Sequence, residues 1–450
     1  MGKAGLIMFR FLMIISISGL YLFTQLLNYD TMNLVLQVLC IFVFLMVYKK
    51  LNPKRKVLTG SLFFLGILIH FFQGYTGLNL FNGITQNLAL LSIIILAPLL
   101  SIPLRQEGII DGVVTMFEKR NDDEQKTFYG TSGFMLSLAP ILNMGALRIV
   151  HGFLKDINIQ PKMLSQAYYS GFTPSIIWSP FFASVGIVLF TMEMSYLNYM
   201  PIGMTFAVIQ ILIGFFILRP RKSDDDIPEQ VSLKEDNQNK NLVLLLIFVV
   251  SLLILLVLQE AIIDQPMLTL VCMNCMIIPV VWAVIRQKQG RMKEVFLPYK
   301  KQVANGINME IAIFLSAGLF GNALVNTRIV DVVGAILVWS SQISIFLLFL
   351  LILLLVTIMA LFGMHQIIVV PIILTLLLST DIQVSAMAIA FMCTFAWMLS
   401  SAISPLNALN IIISSCVRKD GWTVAYRWNG KYFFAVTLCA FIYVYIINVI

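Results

Sequence analysis

Charged residues are scarce in this 450-residue chain, because Asp, Glu, Lys and Arg together make up only 12% of it. A soluble domain carries about 25% charged residues. Hydrophobic residues make up 59% of the chain, more than in an average soluble domain. This balance excludes a soluble enzyme, a disordered chain and a secreted disulfide scaffold. What remains is an all-α polytopic membrane protein, whose apolar runs are long enough to span a bilayer as helices.

Motifs of enzyme chemistry are also missing. The sequence contains no P-loop, no dinucleotide-binding glycine pattern, no hydrolase signature and no metal-ligand spacing. Cys272 and Cys275 form a C-x-x-C pair, but they lie inside the apolar run 268–278, where free cysteine behaves as a small hydrophobic residue. We therefore expect neither an enzyme nor a bound cofactor.

Long apolar segments are what the chain has in abundance, and they predict about eleven transmembrane helices. These cover residues 6–26, 32–48, 57–75, 84–101, 163–192, 200–218, 242–259, 266–285, 303–325, 385–414 and 432–450. No small-residue cleavage site follows the first of them, so it is interpreted as a span and not as a signal peptide.

Two further apolar segments, 129–152 and 343–378, are interrupted by turn-forming residues at their centres. We interpret both as re-entrant helical hairpins, a structure that membranes tolerate where protein or a water-filled cavity satisfies the backbone. The second segment has an alternative interpretation, in which 343–362 and 366–380 are two separate spans.

The basic residues predict the orientation. With a cytoplasmic N-terminus, all but one of the 30 Lys and Arg residues lie in inside segments, and Arg328 is the exception. The positive-inside rule thus predicts a multi-pass protein of the cytoplasmic membrane with its C-terminus outside. The net charge of +8 follows from this orientation and indicates the lipid bilayer, not nucleic acid, as partner.

The polar stretch 219–241 is predicted to be a flexible cytoplasmic linker. It separates two similar halves, 32–218 and 242–450, which follow an N-terminal span in 1–31. The pairs that align are Met144 with Met364 and, at a slightly larger offset, Ser179-Pro180 with Ser404-Pro405 and Asp156 with Asp381. Asp156 is predicted inside and Asp381 outside, so the halves are expected to be inverted repeats, as in many secondary transporters.

Polar residues concentrate at the hairpin tips and in the broken spans 163–192 and 385–414. A proline in a helix removes a backbone donor and frees a carbonyl one turn back. Freed carbonyls, hydroxyls and amides suit Na⁺, and half-helix N-termini attract anions. We therefore predict that substrate and ions bind at Asn143, Gly145, Thr173, Ser175, Ser179, Ser401, Ser404 and Asn407, with Na⁺ at Asn143, Ser179, Ser404 and Asn407.

Two ionisable residues extend this predicted site. Glu310 lies within an apolar span, where a carboxylate is costly and marks a functional candidate. It could relay a proton or complete a cation site, or it could serve as a structural partner of a hydroxyl, an amide or the hairpin backbone. His365, at the second tip, could hydrogen-bond an anion or titrate near neutral pH.

The order of elements resembles the ion transporter superfamily, in particular the divalent anion:sodium symporters. Each half has spans, an amphipathic connector (106–120 and 327–341), a hairpin, a broken span and a final span. Ser179-Pro180 and the run 403–407 are similar to the family's Thr-Pro-Pro-Asn-type turn, whereas its Ser-Asn-Thr signature is absent from both tips. The resemblance implies a homodimer that transports a small anionic solute.

Three hypotheses follow for function. The leading one is a secondary active transporter of an anionic solute, coupled to Na⁺ or H⁺ and working by alternating access. The second is a cation/proton antiporter of the same fold, which Glu310 would serve. The third is a flippase for a lipid-linked intermediate or a membrane enzyme.

Overall fold

The computed structural model describes residues 3–27, 30–108, 124–154, 159–220, 238–263, 265–286, 296–325, 327–378 and 382–449. All regular secondary structure in these residues is helical, which confirms the all-α fold. The α-helices are Lys3–Leu27, Asp30–Tyr48, Pro53–Phe72, Leu88–Leu96, Ser101–Gln106, Glu124–Leu142, Met144–Leu154, Pro161–Phe172, Ser175–Trp178, Ala183–Thr191, Tyr196–Ile217, Gln238–Ile262, Met267–Ile285, Asn308–Leu324, Arg328–Ile343, Ile345–Leu361, Gln366–Leu378, Ala386–Ile403, Ala408–Val417 and Gly430–Val449. Short 3₁₀ or π turns lie at Gly77–Phe81, Ala97–Leu100, Gln302–Gly306 and Thr423–Trp428.

Many of these helices are long and apolar. Within the described ranges, nine helical segments are long and apolar enough to cross a membrane, or ten if the bent pair Phe296–Gly306 and Asn308–Leu324 is a single span. Three of the nine, Leu88–Gln106, Pro161–Thr191 and Ala386–Val417, join consecutive helices. This confirms the architecture of a multi-pass membrane protein, while the count of eleven stays a prediction. The connector residues 109–120, the linker residues 221–237, and Asp156 and Asp381 lie outside the described residues.

The chain forms two compact units, and each contains segments from both predicted halves. The first unit consists of Met1–Ile102, Leu268–Ile336 and Pro371–Leu376. The second consists of Pro103–Met267, Leu337–Val370 and Leu377–Ile450, and it holds both broken helices.

The first unit is built on close backbone packing around helix Asn308–Leu324. Gly83 has a φ of +85°, and a Cβ at this position would lie 2.7 Å from the carbonyl oxygen of Gly318. Only glycine fits both constraints. Next to it, Asn87 Nδ2 donates to the Phe314 carbonyl oxygen at 3.3 Å, so the amide side chain fixes the same approach.

In the second unit, helix Glu124–Leu142 runs alongside and parallel to the first broken helix, which begins at Pro161. The contacts that show this join Glu124 to Gln160 (3.2 Å), Ser132 to Ser170 (2.8 Å) and Pro140 to Ser179 (2.6 Å). Residue numbers rise together along the two helices. The next helix returns, because His151 Nδ1 lies 3.1 Å from the Tyr168 hydroxyl, so the chain reverses direction near Asn143.

Helix Ile345–Leu361 lies in the same way along the second broken helix, Ala386–Ile403. The rings of Phe349 and Phe395 lie 5.7 Å apart, and Ser404 reaches the Ala360 carbonyl at 2.7 Å. Residue numbers again rise together, so each broken helix has a parallel helix beside it that ends level with the break.

The two broken helices cross each other in opposite directions. The pairs in contact or bridged by one side chain are Tyr169 with Ala402, Thr173 with Met398 through Gln210, and Ile177 with Thr394 through Tyr199. Residue numbers rise in one helix as they fall in the other. At a rise of 1.5 Å per residue, the two breaks therefore lie about 18 Å apart along the helix direction.

Candidate functional site

The first break has a local physical cause at Ser179-Pro180. Pro180 has no N–H and so removes one hydrogen bond of the helix, and Ser179 adopts an extended conformation with φ −74° and ψ 129°. Its hydroxyl donates to the Pro140 carbonyl at 2.6 Å and accepts from the Phe181 N–H at 3.3 Å. One side chain thus closes the break and holds the end of the neighbouring hairpin helix.

The second break repeats this geometry. Ser404 is extended, with φ −75° and ψ 120°. Its hydroxyl donates to the Ala360 carbonyl at 2.7 Å and accepts from the Leu406 N–H at 3.3 Å. The two serines are separated by the sequence offset that aligns Asp156 with Asp381. Their acceptors, Pro140 and Ala360, are separated by the offset that aligns the two methionines of the hairpins.

The chain turns that follow these acceptors are also matched. Asn143 and Gly363, which are separated by the same offset as the acceptors, have φ values of +50° and +86°. Asn143 Oδ1 accepts from the Met144 N–H at 2.7 Å, so its side chain caps the next helix. Gly145 lies in the first turn of that helix with room for a Cβ, since its nearest contact would be Leu142 Cβ at 3.8 Å.

At the second turn a chain of neutral polar groups joins the hairpin to the broken helix. Gln366 Nε2 donates to Ser400 Oγ at 2.9 Å, and Asn407 Nδ2 donates to Gln366 Oε1 at 3.0 Å. Asn407 Oδ1 also accepts from the Leu409 N–H at 3.2 Å. His365 lies beside this chain, with Nδ1 accepting from the Ile367 N–H at 3.3 Å.

The carbonyls freed by the first break are all occupied. Proline frees the carbonyl of Ile176, which accepts from Ser184 Oγ. The next two, Ile177 and Trp178, accept from the hydroxyls of Tyr199 at 2.9 Å and Tyr196 at 3.0 Å. Hydroxyls of the same chain therefore take the place that an ion or substrate would need at these three oxygens.

The second break differs in the partners of the three equivalent carbonyls, those of Ser401, Ala402 and Ile403. The Ala402 carbonyl accepts from the Tyr169 hydroxyl at 3.0 Å and from Asn410 Nδ2 at 3.2 Å. No donor in the described part of the chain bonds to the carbonyls of Ser401 or Ile403. Ser401 itself is 5% exposed. This break therefore offers two backbone oxygens as candidate ligands.

Thr173 lies at the crossing of the broken helices, and Ser175 lies one turn before the break at Ser179. Thr173 Oγ1 donates to the Tyr169 carbonyl at 2.7 Å and accepts from Gln210 Nε2 at 2.8 Å. Ser175 Oγ and Gln210 Oε1 are buried without a hydrogen-bond partner among the described residues. Thr173 therefore has a structural role at the crossing.

Glu310 belongs to the first unit, whereas the other nine predicted residues belong to the second. It lies in the first turn of helix Asn308–Leu324, just after a bend of 51°. A carboxylate in the first turn of a helix interacts favourably with the helix dipole, which supports the structural interpretation of this residue.

Sequence reasoning missed the long-range partners of the breaks. Gln366, Gln210, Tyr196, Tyr199 and Tyr169 each bond across a large separation in sequence. The signal available for them was a polar or amphipathic side chain within an apolar segment, and many residues of the chain share that signal.

Comparisons with known proteins add no family. No model of a known protein family matches the chain, and no curated protein matches its sequence.

Proposed function

We propose that this protein is a secondary active transporter that moves a small anionic solute across the membrane by alternating access, coupled to Na⁺ or H⁺. We further propose that its halves are inverted repeats with two re-entrant hairpins. One observation carries this proposal: the serine of each Ser-Pro break donates a hydrogen bond to the end of a hairpin helix that runs parallel to the broken helix. The two serines, and likewise their two acceptors, are separated by the offsets found in the sequence.

The opposite directions of the broken helices support the inversion. A two-fold axis in the membrane plane produces two such parallel helix pairs, which repeat along the chain and cross in opposite directions. The pair related by this axis is Thr173 and Met398, which have the same sequence offset as the two serines of the breaks and which Gln210 bridges.

The second break is the better binding half. Helices Gln366–Leu378 and Ala408–Val417 both begin there, and the bond between Gln366 and Asn407 joins their starts. Two helix N-termini attract an anion. Helix Ala386–Ile403 ends at the same place with its Ser401 and Ile403 carbonyls available, and such oxygens suit Na⁺. An anion and a cation can thus bind as neighbours.

Thermal unfolding of the purified protein tests the function, because a bound ligand stabilises by mass action, about 2.7 kcal/mol at a concentration 100 times Kd. We expect an organic or inorganic anion to raise Tm, and Na⁺ or a lower pH to increase that effect. Gln366→Ala should abolish the shift, while Ser92→Ala, in the other unit, should retain it. A response to Na⁺ or pH but to no anion would overturn the anion proposal and favour the antiporter.

Cysteine labelling tests the inversion separately. Single cysteines at Asp156 and Asp381 should react with an impermeant thiol reagent from opposite sides of the membrane. Reaction of both from one side would refute the inverted repeats.

A further inference from the structure

We propose that the segment Arg418–Lys431, called here the C-terminal connector, is a binding surface for the headgroups of anionic phospholipids. The connector joins two helices long and apolar enough to cross a membrane, the one that ends at Val417 and the one that begins at Gly430. A short segment between two span ends lies at the level of the lipid headgroups.

The charge of the connector fits an anionic partner. Arg418, Lys419, Arg427 and Lys431 are all exposed. Asp420 is the one carboxylate in the connector, and its Oδ1 accepts from the Thr423 N–H at 2.9 Å. That hydrogen bond lowers the pKa of Asp420 and turns the carboxylate towards its own backbone. Four exposed cations therefore face one carboxylate, which leaves the connector with a net positive charge.

Elements next to the connector add further positive charge. Arg148 is exposed and close enough to Cys416 to influence it electrostatically. The described residues of the two flanking helices, Ala408–Val417 and Gly430–Val449, contain no Asp or Glu. The connector bases therefore have no carboxylate of these two helices to pair with, and phosphate groups of the bilayer are complementary to their charge.

Two exposed aromatic side chains point to a membrane and not to a soluble anion. Trp422 is 58% exposed and Tyr426 39% exposed, and their rings stack with centroids 5.0 Å apart. Trp and Tyr are enriched at membrane–water interfaces, where the ring meets the headgroup level. Basic residues combined with such aromatics at a span end favour anionic lipid.

The connector also forms hydrogen bonds with both broken helices. Its Gly421 carbonyl accepts from Asn410 Nδ2 at 3.2 Å, just beyond the second break. At the other end, the Trp428 carbonyl accepts from Gln166 Nε2 at 3.2 Å, and Asn429 Nδ2 donates to Ser165 Oγ at 3.3 Å in the first broken helix. Lipid bound to the outer face would therefore stabilise the arrangement of the two breaks.

The test uses the full chain in micelles, with phosphatidylglycerol or phosphatidylcholine added and Tm measured. We expect phosphatidylglycerol to raise Tm more than phosphatidylcholine does, and high salt to remove the difference. Replacing all four connector bases with Gln should abolish the difference in Tm between the two lipids, since each base near an anionic surface contributes about a fivefold change in binding. A variant with the two arginines changed to Lys should keep it.

The matched control removes the same number of charges from another segment between spans, by changing Lys49, Lys50, Arg55 and Lys56 to Gln. It should lose less of the response to phosphatidylglycerol than the connector variant does, because the segment 49–56 contains no Trp or Tyr. Equal losses in both quadruple variants would overturn the proposal, and so would an equal rise in Tm with glycerol phosphate alone. If the connector quadruple variant fails to fold, Arg418→Gln/Lys419→Gln and Arg427→Gln/Lys431→Gln are measured separately, and an unchanged response in both refutes the site.

Discussion

Replacing Ser179 with Ala isolates the contact that defines a break. The Ser179 hydroxyl makes two hydrogen bonds, to the Pro140 carbonyl and from the Phe181 N–H, and all three residues are buried. Alanine keeps the backbone and Cβ but leaves both backbone groups without a partner. A cavity the size of one oxygen atom remains, so a water has little room to replace the hydroxyl.

The expected cost follows from those two groups. A buried donor or acceptor left unsatisfied costs about 1–3 kcal/mol, so the two groups together should lower the free energy of unfolding of Ser179→Ala by about 2–6 kcal/mol. Ser404→Ala should cost less, about 1–3 kcal/mol, because the Leu406 N–H that it leaves is only part-buried. The two serines occupy equivalent positions, yet the structure predicts unequal losses.

Reversible unfolding in mixed micelles measures these losses, and Ser316→Ala is the control. Ser316 is equally buried, but its hydroxyl bonds to Ala312 within its own helix at 2.7 Å. Alanine has a higher helix propensity than serine, so the control should change stability by less than about 1 kcal/mol. If Ser179→Ala costs no more than Ser316→Ala, the serine does not hold the hairpin to the broken helix.

Three further substitutions test other contacts, each by its change in free energy of unfolding. Tyr199→Phe should cost about 1–3 kcal/mol, because it leaves the Ile177 carbonyl unsatisfied; no change would mean that another donor replaces the hydroxyl. Glu260 accepts from the Tyr196 N–H at 2.7 Å, at the start of helix Tyr196–Ile217, so Glu260→Gln should cost about 1 kcal/mol, and less at high salt. Ser92 Oγ is buried without a partner among the described residues, so Ser92→Ala should stabilise by about 1 kcal/mol; a loss would indicate bound water there.

The parts of the site that could be predicted from sequence are those with local causes. The breaks at Ser179-Pro180 and Ser404-Pro405 could be predicted because each proline removes a backbone donor from its helix. Gly363 marked a turn for a similar reason, since glycine adopts positive φ without strain. The partners of these residues could not be predicted, because Gln210 reaches Thr173 only through packing that no short sequence pattern encodes.

The difference between the breaks shows why repeats in sequence need not be repeats in function. Both backbones open at the same place, but the side chains at equivalent positions differ: Ser184 and Tyr196 of the first half correspond to Leu409 and Gly421 of the second. The first pair donates hydroxyls to freed carbonyls, whereas leucine and glycine have no hydroxyl to donate. An unpartnered carbonyl in a buried residue such as Ser401 is costly, and a ligand that supplies positive charge would remove that cost. The break without these hydroxyls is therefore the one at which we propose that a cation binds.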